Sequence, residues 1–279
     1  MFEKLKQLAY GARYLLSRRG EKTFVELPGR RVQLWHGGEG VPFVYLHSGL
    51  GETTWLPFHD TWAKDFHVFV PAHPGFAEST GIELIDTIDD LALHYVELFD
   101  KLGLDAVCLG GVSLGGWLAA EFALRWPERV HRLWLADAPG LWSDEYPYAD
   151  LFRYVQEPAK LRELLFHDPR GAMATMIIRD LKEMNEETFV AAYRALRTLA
   201  RLTWERPYNP KLSLRLGRIR CPVLILWGES DRLIPPVYAE LYARSIAQSR
   251  AEILKNCGHL PMFEQEAAFV QLIRDFCRT

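Results

Sequence analysis

The chain has 279 residues, 49% hydrophobic, 13% aromatic and 25% charged, with a net charge of −3. That length holds one large domain, or one domain carrying an insertion, with an ordinary globular composition. The charge balance argues against nucleic acid as a partner, which needs a basic face. The lack of any apolar run of about 18 residues argues against an integral membrane segment.

The opening stretch, MFEKLKQLAYGARYLLSRRG, has helical spacing through Phe2, Leu5, Leu8, Ala12, Leu15 and Leu16. It lacks the apolar core and small-residue cleavage site of a signal peptide. The expectation is a cytoplasmic protein in which residues 1–20 form an amphipathic helix packed on their own domain. Lys4, Lys6, Arg13, Arg18 and Arg19 leave binding to a membrane surface or a partner as the alternative. Cys108, Cys221, Cys257 and Cys277 are far apart and form no CxxC pair. They read as free thiols of a reducing compartment, and no metal site is expected.

Residues 31–36 and 42–47 read as neighbouring strands joined by the turn Gly37-Gly38-Glu39-Gly40, an antiparallel start. A short strand over 67–70 ends at Pro71. Residues 88–102 have helical apolar spacing and stop near Gly103. A strand over 105–110, a helix over 114–126 and a strand over 130–137 follow. Later come a strand over 223–227, a helix over 236–246, a strand over 251–255 and a helix over 267–277. This rhythm predicts an α/β protein with a mostly parallel central sheet covered by helices on both faces. The rhythm lapses after Pro139, where the chain is helical in character and rich in Tyr, Trp, Phe and Arg. The predicted organisation is a core over 1–138, a helical cap over 139–210 and the rest of the core over 211–279.

Gly111-Val112-Ser113-Leu114-Gly115 fits G-x-S-x-G and lies between a predicted strand and a predicted helix. A serine on so sharp a turn leaves no room for side chains two residues to either side, so glycine is required there. The turn lifts the hydroxyl clear, and the Leu114 N–H at the helix start can bind a developing oxyanion.

With these motifs the sequence resembles the α/β-hydrolase superfamily from about Val32 to the C-terminus. His47-Ser48-Gly49-Leu50-Gly51 resembles the family's oxyanion loop, and residues 71–79 its Pro-Gly-Phe-Gly-x-Ser loop. Trp227-Gly228-Glu229-Ser230-Asp231 and Gly258-His259-Leu260-Pro261 look like its acid and histidine loops. Ser48 stands where the family usually has glycine, and Ala72 where many members carry Asp. The family's chain order of serine, acid, histidine is met by Ser113, Asp231 and His259. Asp137, at the end of the 130–137 strand, is the rival acid. The resemblance implies backbone donors at Leu114 and Gly49, with Leu50 as the alternative to Gly49. His47 and His73 are expected to line the rim of the site or brace its loops.

With these residues the resemblance implies a cofactor-free, carboxylesterase-like serine hydrolase that cleaves a small carboxylic ester through an acyl-enzyme. Its expected partner is a small molecule with an apolar acyl or aromatic part. One alternative is a carbon–carbon bond (diketone) hydrolase. Such enzymes typically have Trp after the catalytic histidine, where this chain has Leu260. Another is a non-enzymatic ligand receptor or signalling protein on the same fold. Arg153, Arg162 and Arg179 are candidates for binding a substrate carboxylate.

Overall fold

The computed structural model describes residues 20–278; the helix expected over 1–20 lies almost wholly outside them. Eight strands form one sheet: β1 (Glu21–Leu27), β2 (Arg30–Gly37), β3 (Val41–Leu46), β4 (Phe66–Pro71), β5 (Val107–Val112), β6 (Val130–Ala136), β7 (Val223–Gly228) and β8 (Ser249–Leu254). Their order is β1-β2-β4-β3-β5-β6-β7-β8. β1–β2 and β2–β4 are antiparallel, and the remaining pairs are parallel.

Two corrections concern the antiparallel edge. β1 has no counterpart in the sequence reading. Its segment EKTFVEL buries only Val25 and Leu27, so its apolar signal is short. β2 and β3 are not neighbours, because β4 lies between them. The glycines joining them do not make a hairpin turn but cross the start of β4 at contact distance. Gly38 (φ 81°) passes so close that a Cβ there would lie 2.3 Å from the Phe66 carbonyl oxygen. Gly40 (φ 109°) passes Asp65 in the same way.

Helices α1 (Pro57–Trp62), α2 (Ile88–Leu102) and α3 (Leu114–Arg125) follow β3, β4 and β5. α2 starts on Thr87, whose hydroxyl accepts the Asp90 N–H, and stops at left-handed Gly103. β7 and β8 are joined by a helix over Val237–Ser245, and the described chain ends in a helix over Glu266–Arg278. Trp62 of α1 and Phe269 of that last helix pack against Phe43 and Trp134 on one face of the sheet. α2 and α3 pack together on the other, as right-handed crossovers require, with Phe99 against Phe122. The expectation of four free thiols needs correction. Cys108 on β5 is joined to Cys277 on the last helix, while Cys221 and Cys257 are free and buried.

Between β6 and β7 the chain leaves the sheet. It forms α4 (Pro158–Leu165), α5 (Ala172–Ile177), α6 (Glu186–Thr203) and α7 (Leu212–Arg215). The two ends of this excursion meet: Asn209 N–H donates to the Gly140 carbonyl at 2.8 Å, and Gly140 bridges to Tyr208. In chain order, the helix over Val237–Ser245 is α8, a turn over Pro261–Glu264 is α9, and Glu266–Arg278 is α10. No described helix is long and apolar enough to cross a membrane.

Candidate active site

Ser113 sits between β5 and α3 with φ 53°, a strained value for a residue with a side chain. Its backbone is pinned on both sides: Ser113 N–H donates to the Ala136 carbonyl at 2.9 Å, and Trp117 N–H donates to the Ser113 carbonyl at 3.0 Å. The flanking glycines are a steric necessity. A Cβ on Gly115 would lie 2.0 Å from the Leu46 carbonyl oxygen, and one on Gly111 would lie 2.5 Å from the same atom. The serine turn is thus wedged against the end of β3, where the next loop begins.

Asp231 follows β7 and His259 follows β8, at the same carboxyl edge of the sheet. His259 Nε2 lies 2.8 Å from Ser113 Oγ, and its Nδ1 lies 2.7 Å from Asp231 Oδ2. Asp231 Oδ1 accepts the N–H groups of Leu233 and Ile234, both at 2.9 Å. A carboxylate can only accept, so Nδ1 carries the proton and Nε2 is left to accept from the serine hydroxyl. His259 and Asp231 are buried; Ser113 is half-buried.

Asp137 stands beside this chain but outside it. It is fully buried at the end of β6, with φ 48°, and its Oδ1 accepts the Gly228 N–H at 2.8 Å. Its Oδ2 receives no hydrogen bond from a donor among the described residues. Burial, reinforced by the charge of Asp231, holds its carboxyl well above the usual range and so favours its neutral form. Asp137, Asp231 and His259 form the one cluster among the described residues with metal-ligand spacing, their donor atoms lying within 4.8 Å of one another. Both His259 nitrogens are committed to Ser113 and Asp231, and burial disfavours the charged form of Asp137 that a metal would need, so this donor set suits proton transfer rather than a metal.

The N–H of Leu114, first residue of α3, has no intrahelical acceptor. In the loop after β3 the Gly49 N–H likewise makes no hydrogen bond among the described residues, whereas Leu50 N–H donates to Ser48 Oγ at 3.1 Å. Of the two loop donors the sequence left open, Leu50 is therefore occupied. His47 and His73 brace this loop from beneath. His47 Nδ1–H donates to the Ser48 carbonyl (2.7 Å), and His47 Nε2 accepts the His73 N–H (2.9 Å). His73 Nε2–H donates to the His47 carbonyl (3.0 Å), and its Nδ1 accepts from Tyr95 OH (2.5 Å). Each ring has one donor and one acceptor nitrogen in use, which fixes both as neutral. Burial pushes His47 down to about 4 and His73 well below the ordinary value.

Two carboxylates that sequence reasoning missed hold the loops. Glu52 grips Ser48. Glu264 accepts the N–H of Gly258 at 2.6 Å and of His167 at 2.9 Å, joining the histidine loop to the excursion. Neither carries a motif; a carboxylate clasping backbone N–H groups has no sequence period. Of the candidate arginines, Arg162 is engaged with the Ile178 carbonyl (2.8 Å) and Asp180 (3.2 Å). Arg179 and Arg153 are exposed. The aromatic residues of the excursion largely pair with one another, Trp142 on Tyr208 and Phe152 on Trp204.

Fold and site together define an α/β-type hydrolase. Residues 34–272 match the model of the alpha/beta hydrolase family, and the chain belongs to that family. It is 31% identical over 266 residues to a 2-hydroxy-6-oxononadienedioate/2-hydroxy-6-oxononatrienedioate hydrolase of Klebsiella pneumoniae, covering 88% of this chain and 90% of that one. Among solved structures it is similar to a bacterial membrane phospholipase A (TM-score 0.80, 24% identity, 98% of this chain and 90% of that one). It is also similar to a thermophilic esterase from Thermogutta terrifontis (TM-score 0.66, 25% identity, 94% and 98%).

Proposed function

We propose that this hydrolase cleaves a small carboxylic ester through an acyl-enzyme. The observation that carries the reading is the unbroken hydrogen-bond chain from Asp231 through His259 to Ser113. Ser113 Oγ attacks the carbonyl carbon as His259 Nε2 takes its proton, and Asp231 steadies the imidazolium. The N–H groups of Leu114 and Gly49 receive the oxyanion, each contributing about 3 kcal/mol in the transition state. His259 returns the proton to the leaving alcohol, and water attacks the acyl-enzyme by the same route. No cofactor enters these steps. Residues 139–210 act as a cap over a core made of 1–138 and 211–279, and the substrate presents an apolar acyl or aromatic part to it.

Two features favour an ester over a carbon–carbon substrate. Leu260 follows the histidine, and the half-buried cap arginine, Arg162, is already committed to Ile178 and Asp180. The similarity to the Klebsiella hydrolase supports the second reading, cleavage of a carbon–carbon bond in a vinylogous diketone. Purified protein is offered p-nitrophenyl acetate and butyrate, a 2-hydroxy-6-oxo-dienoate, and a fluorophosphonate probe. The ester reading expects ester turnover and labelling of Ser113, both abolished in Ser113→Ala. No turnover and no labelling would overturn it in favour of a ligand receptor. A kcat/KM tenfold higher on the dienoate would replace it with the second reading.

A further inference from the structure

The loop after β3 contains a device that the ester mechanism above does not use. Ser48 is buried and stands where the resembled family usually has glycine. Glu52 Oε1 accepts the Ser48 N–H at 2.6 Å and Tyr45 OH at 3.0 Å, and Glu52 Oε2 accepts the Ser48 hydroxyl at 2.7 Å. The same hydroxyl oxygen accepts the Leu50 N–H at 3.1 Å. Gly51 N–H donates back to the Ser48 carbonyl at 3.2 Å. Of the four consecutive N–H groups from 48 to 51, three are consumed inside the loop, and Gly49 alone has no acceptor among the described residues.

Resting on the ester reading, we propose that Ser48 and Glu52 are positioning residues that select and aim the Gly49 N–H as the second oxyanion donor. The aim follows from peptide planarity. In a trans peptide the C=O of Ser48 and the N–H of Gly49 point in opposite directions. Two donors hold that carbonyl, His47 Nδ1 at 2.7 Å and Gly51 N–H at 3.2 Å. Fixing the carbonyl fixes the N–H on the far side of the same plane. Glu52 locks the preceding peptide through the Ser48 N–H, so the two planes cannot rock together. The Ser48 hydroxyl removes Leu50 from competition.

Placement agrees with this task. Leu46 pairs with Gly111 in the sheet, and a Cβ on Gly115 would meet the carbonyl oxygens of both Leu46 and His47. The loop therefore starts against the serine turn. Leu199 of α6 packs on half-buried Gly49, with its Cδ1 3.0 Å from where a Cβ would stand. A preorganised donor is effective because nothing must reorient as charge develops. The three donors that Glu52 accepts occupy both its oxygens, which directs its charge into the loop.

The test compares wild type with Ser48→Ala, Ser48→Gly, Glu52→Gln and Glu52→Ala. The readouts are kcat and KM on p-nitrophenyl butyrate, inhibition by an alkylboronic acid, and Tm. The boronate forms a tetrahedral adduct on serine, whose oxygen occupies the oxyanion position. The proposal expects kcat to fall about tenfold or more with KM within about twofold, boronate inhibition to weaken by the same factor, and Tm to move by a few degrees. Glu52→Gln and Ser48→Gly carry the test if the alanine variants do not fold. Variants that keep kcat and boronate affinity at wild-type Tm overturn the proposal and leave the ester reading intact. A wild type that neither turns over esters nor takes up the fluorophosphonate overturns both.

Discussion

The assignment of the acid can be decided by one pair of substitutions, Asp231→Asn and Asp137→Asn. In Asp231→Asn the new side chain has one carbonyl oxygen for three former donors. Leu233 and Ile234 N–H groups both lie 2.9 Å from Oδ1. Turning the amide away would strand two buried donors at about 1–3 kcal/mol each. The carbonyl therefore stays with them, and the amide NH2 faces His259 Nδ1. That nitrogen must now accept, so the proton moves to Nε2 and Ser113 loses its base. A tautomer exchange of this kind in a serine-protease triad lowers kcat about 10⁴-fold, which is about 5.4 kcal/mol at 1.36 kcal/mol per tenfold. In Asp137→Asn the carbonyl still accepts the Gly228 N–H and the side chain keeps the uncharged form that burial favours, so kcat should stay within about threefold. Steady-state ester hydrolysis measures both, with Tm as the check on folding. Retained activity in Asp231→Asn together with loss in Asp137→Asn refutes the reasoning and makes Asp137 the acid.

Acid should unfold the protein early. Burial pushes His47 to about 4 and His59 and His94 to about 3, while the unfolded chain protonates them near 6.5. Their stabilising contribution is present above pH 6.5 and is lost as pH falls toward these values, at up to about 1.4 kcal/mol per pH unit for each. Tm measured from pH 7.5 to 4 should fall steeply, less so in His94→Gln, and a flat profile contradicts the burial argument. Asp137 works in the opposite sense: its raised folded value costs stability as pH rises, so Asp137→Asn should gain Tm over wild type at pH 8 and not at pH 4. Gly115→Ala sets a Cβ 2.0 Å from a backbone oxygen that cannot yield; overpacking of this kind costs about 3 kcal/mol, read as a lower urea midpoint with lost turnover. Glu264→Ala strands the buried Gly258 N–H, while the exposed His167 N–H can turn to water, and should cost about 1–3 kcal/mol together with a fall in kcat. Unchanged chemical denaturation would show the clasp to be dispensable.

What the sequence made legible follows local rules. Gly111 and Gly115 announce a turn that nothing larger can occupy, and α2 carries its own start and stop at Thr87 and Gly103. Ser113, Asp231 and His259 could be paired because each follows a strand at one edge of a parallel sheet. The features that escaped depend on what arrives from elsewhere. The glycines at 38 and 40 read as a hairpin because the strand they cross, β4, lies 26 residues further along the chain. Cys277 meets Cys108 across a sequence separation of 169, and only the seating of α10 on the sheet brings them together. The choice between Gly49 and Leu50 turned on a serine hydroxyl whose partner, Glu52, belongs to no motif.

The excursion between β6 and β7 is bonded to the loops that carry Asp231 and His259 on one side and to the segment between β4 and α2 on the other. His259 N–H donates to the Leu165 carbonyl at 2.8 Å, Arg232 Nη1 donates to the carbonyls of Glu163 and Phe166, and His167 Nδ1 meets Ser230 Oγ at 2.8 Å. Opposite, Arg201 Nε donates to the Ile85 carbonyl at 2.7 Å, and a Cβ on Gly75 would meet Thr198 Oγ1. Only one face of α6 takes part: Ala195, Thr198, Leu202 and Thr203 are buried, while Phe189 and Tyr193 stand 52% and 59% exposed. The buried side of α6 thus carries Ala195, Leu202 and two hydroxyls, Thr198 and Thr203, and on the ester reading this side rather than the outward aromatic residues is expected to meet a substrate. The same bonds make the segment at 163–168 part of the frame that holds His259. On the ester reading, substitutions there are expected to alter substrate fit and base geometry together, whereas those on the inner face of α6 should alter KM while leaving the bonds of His259 and Asp231 in place.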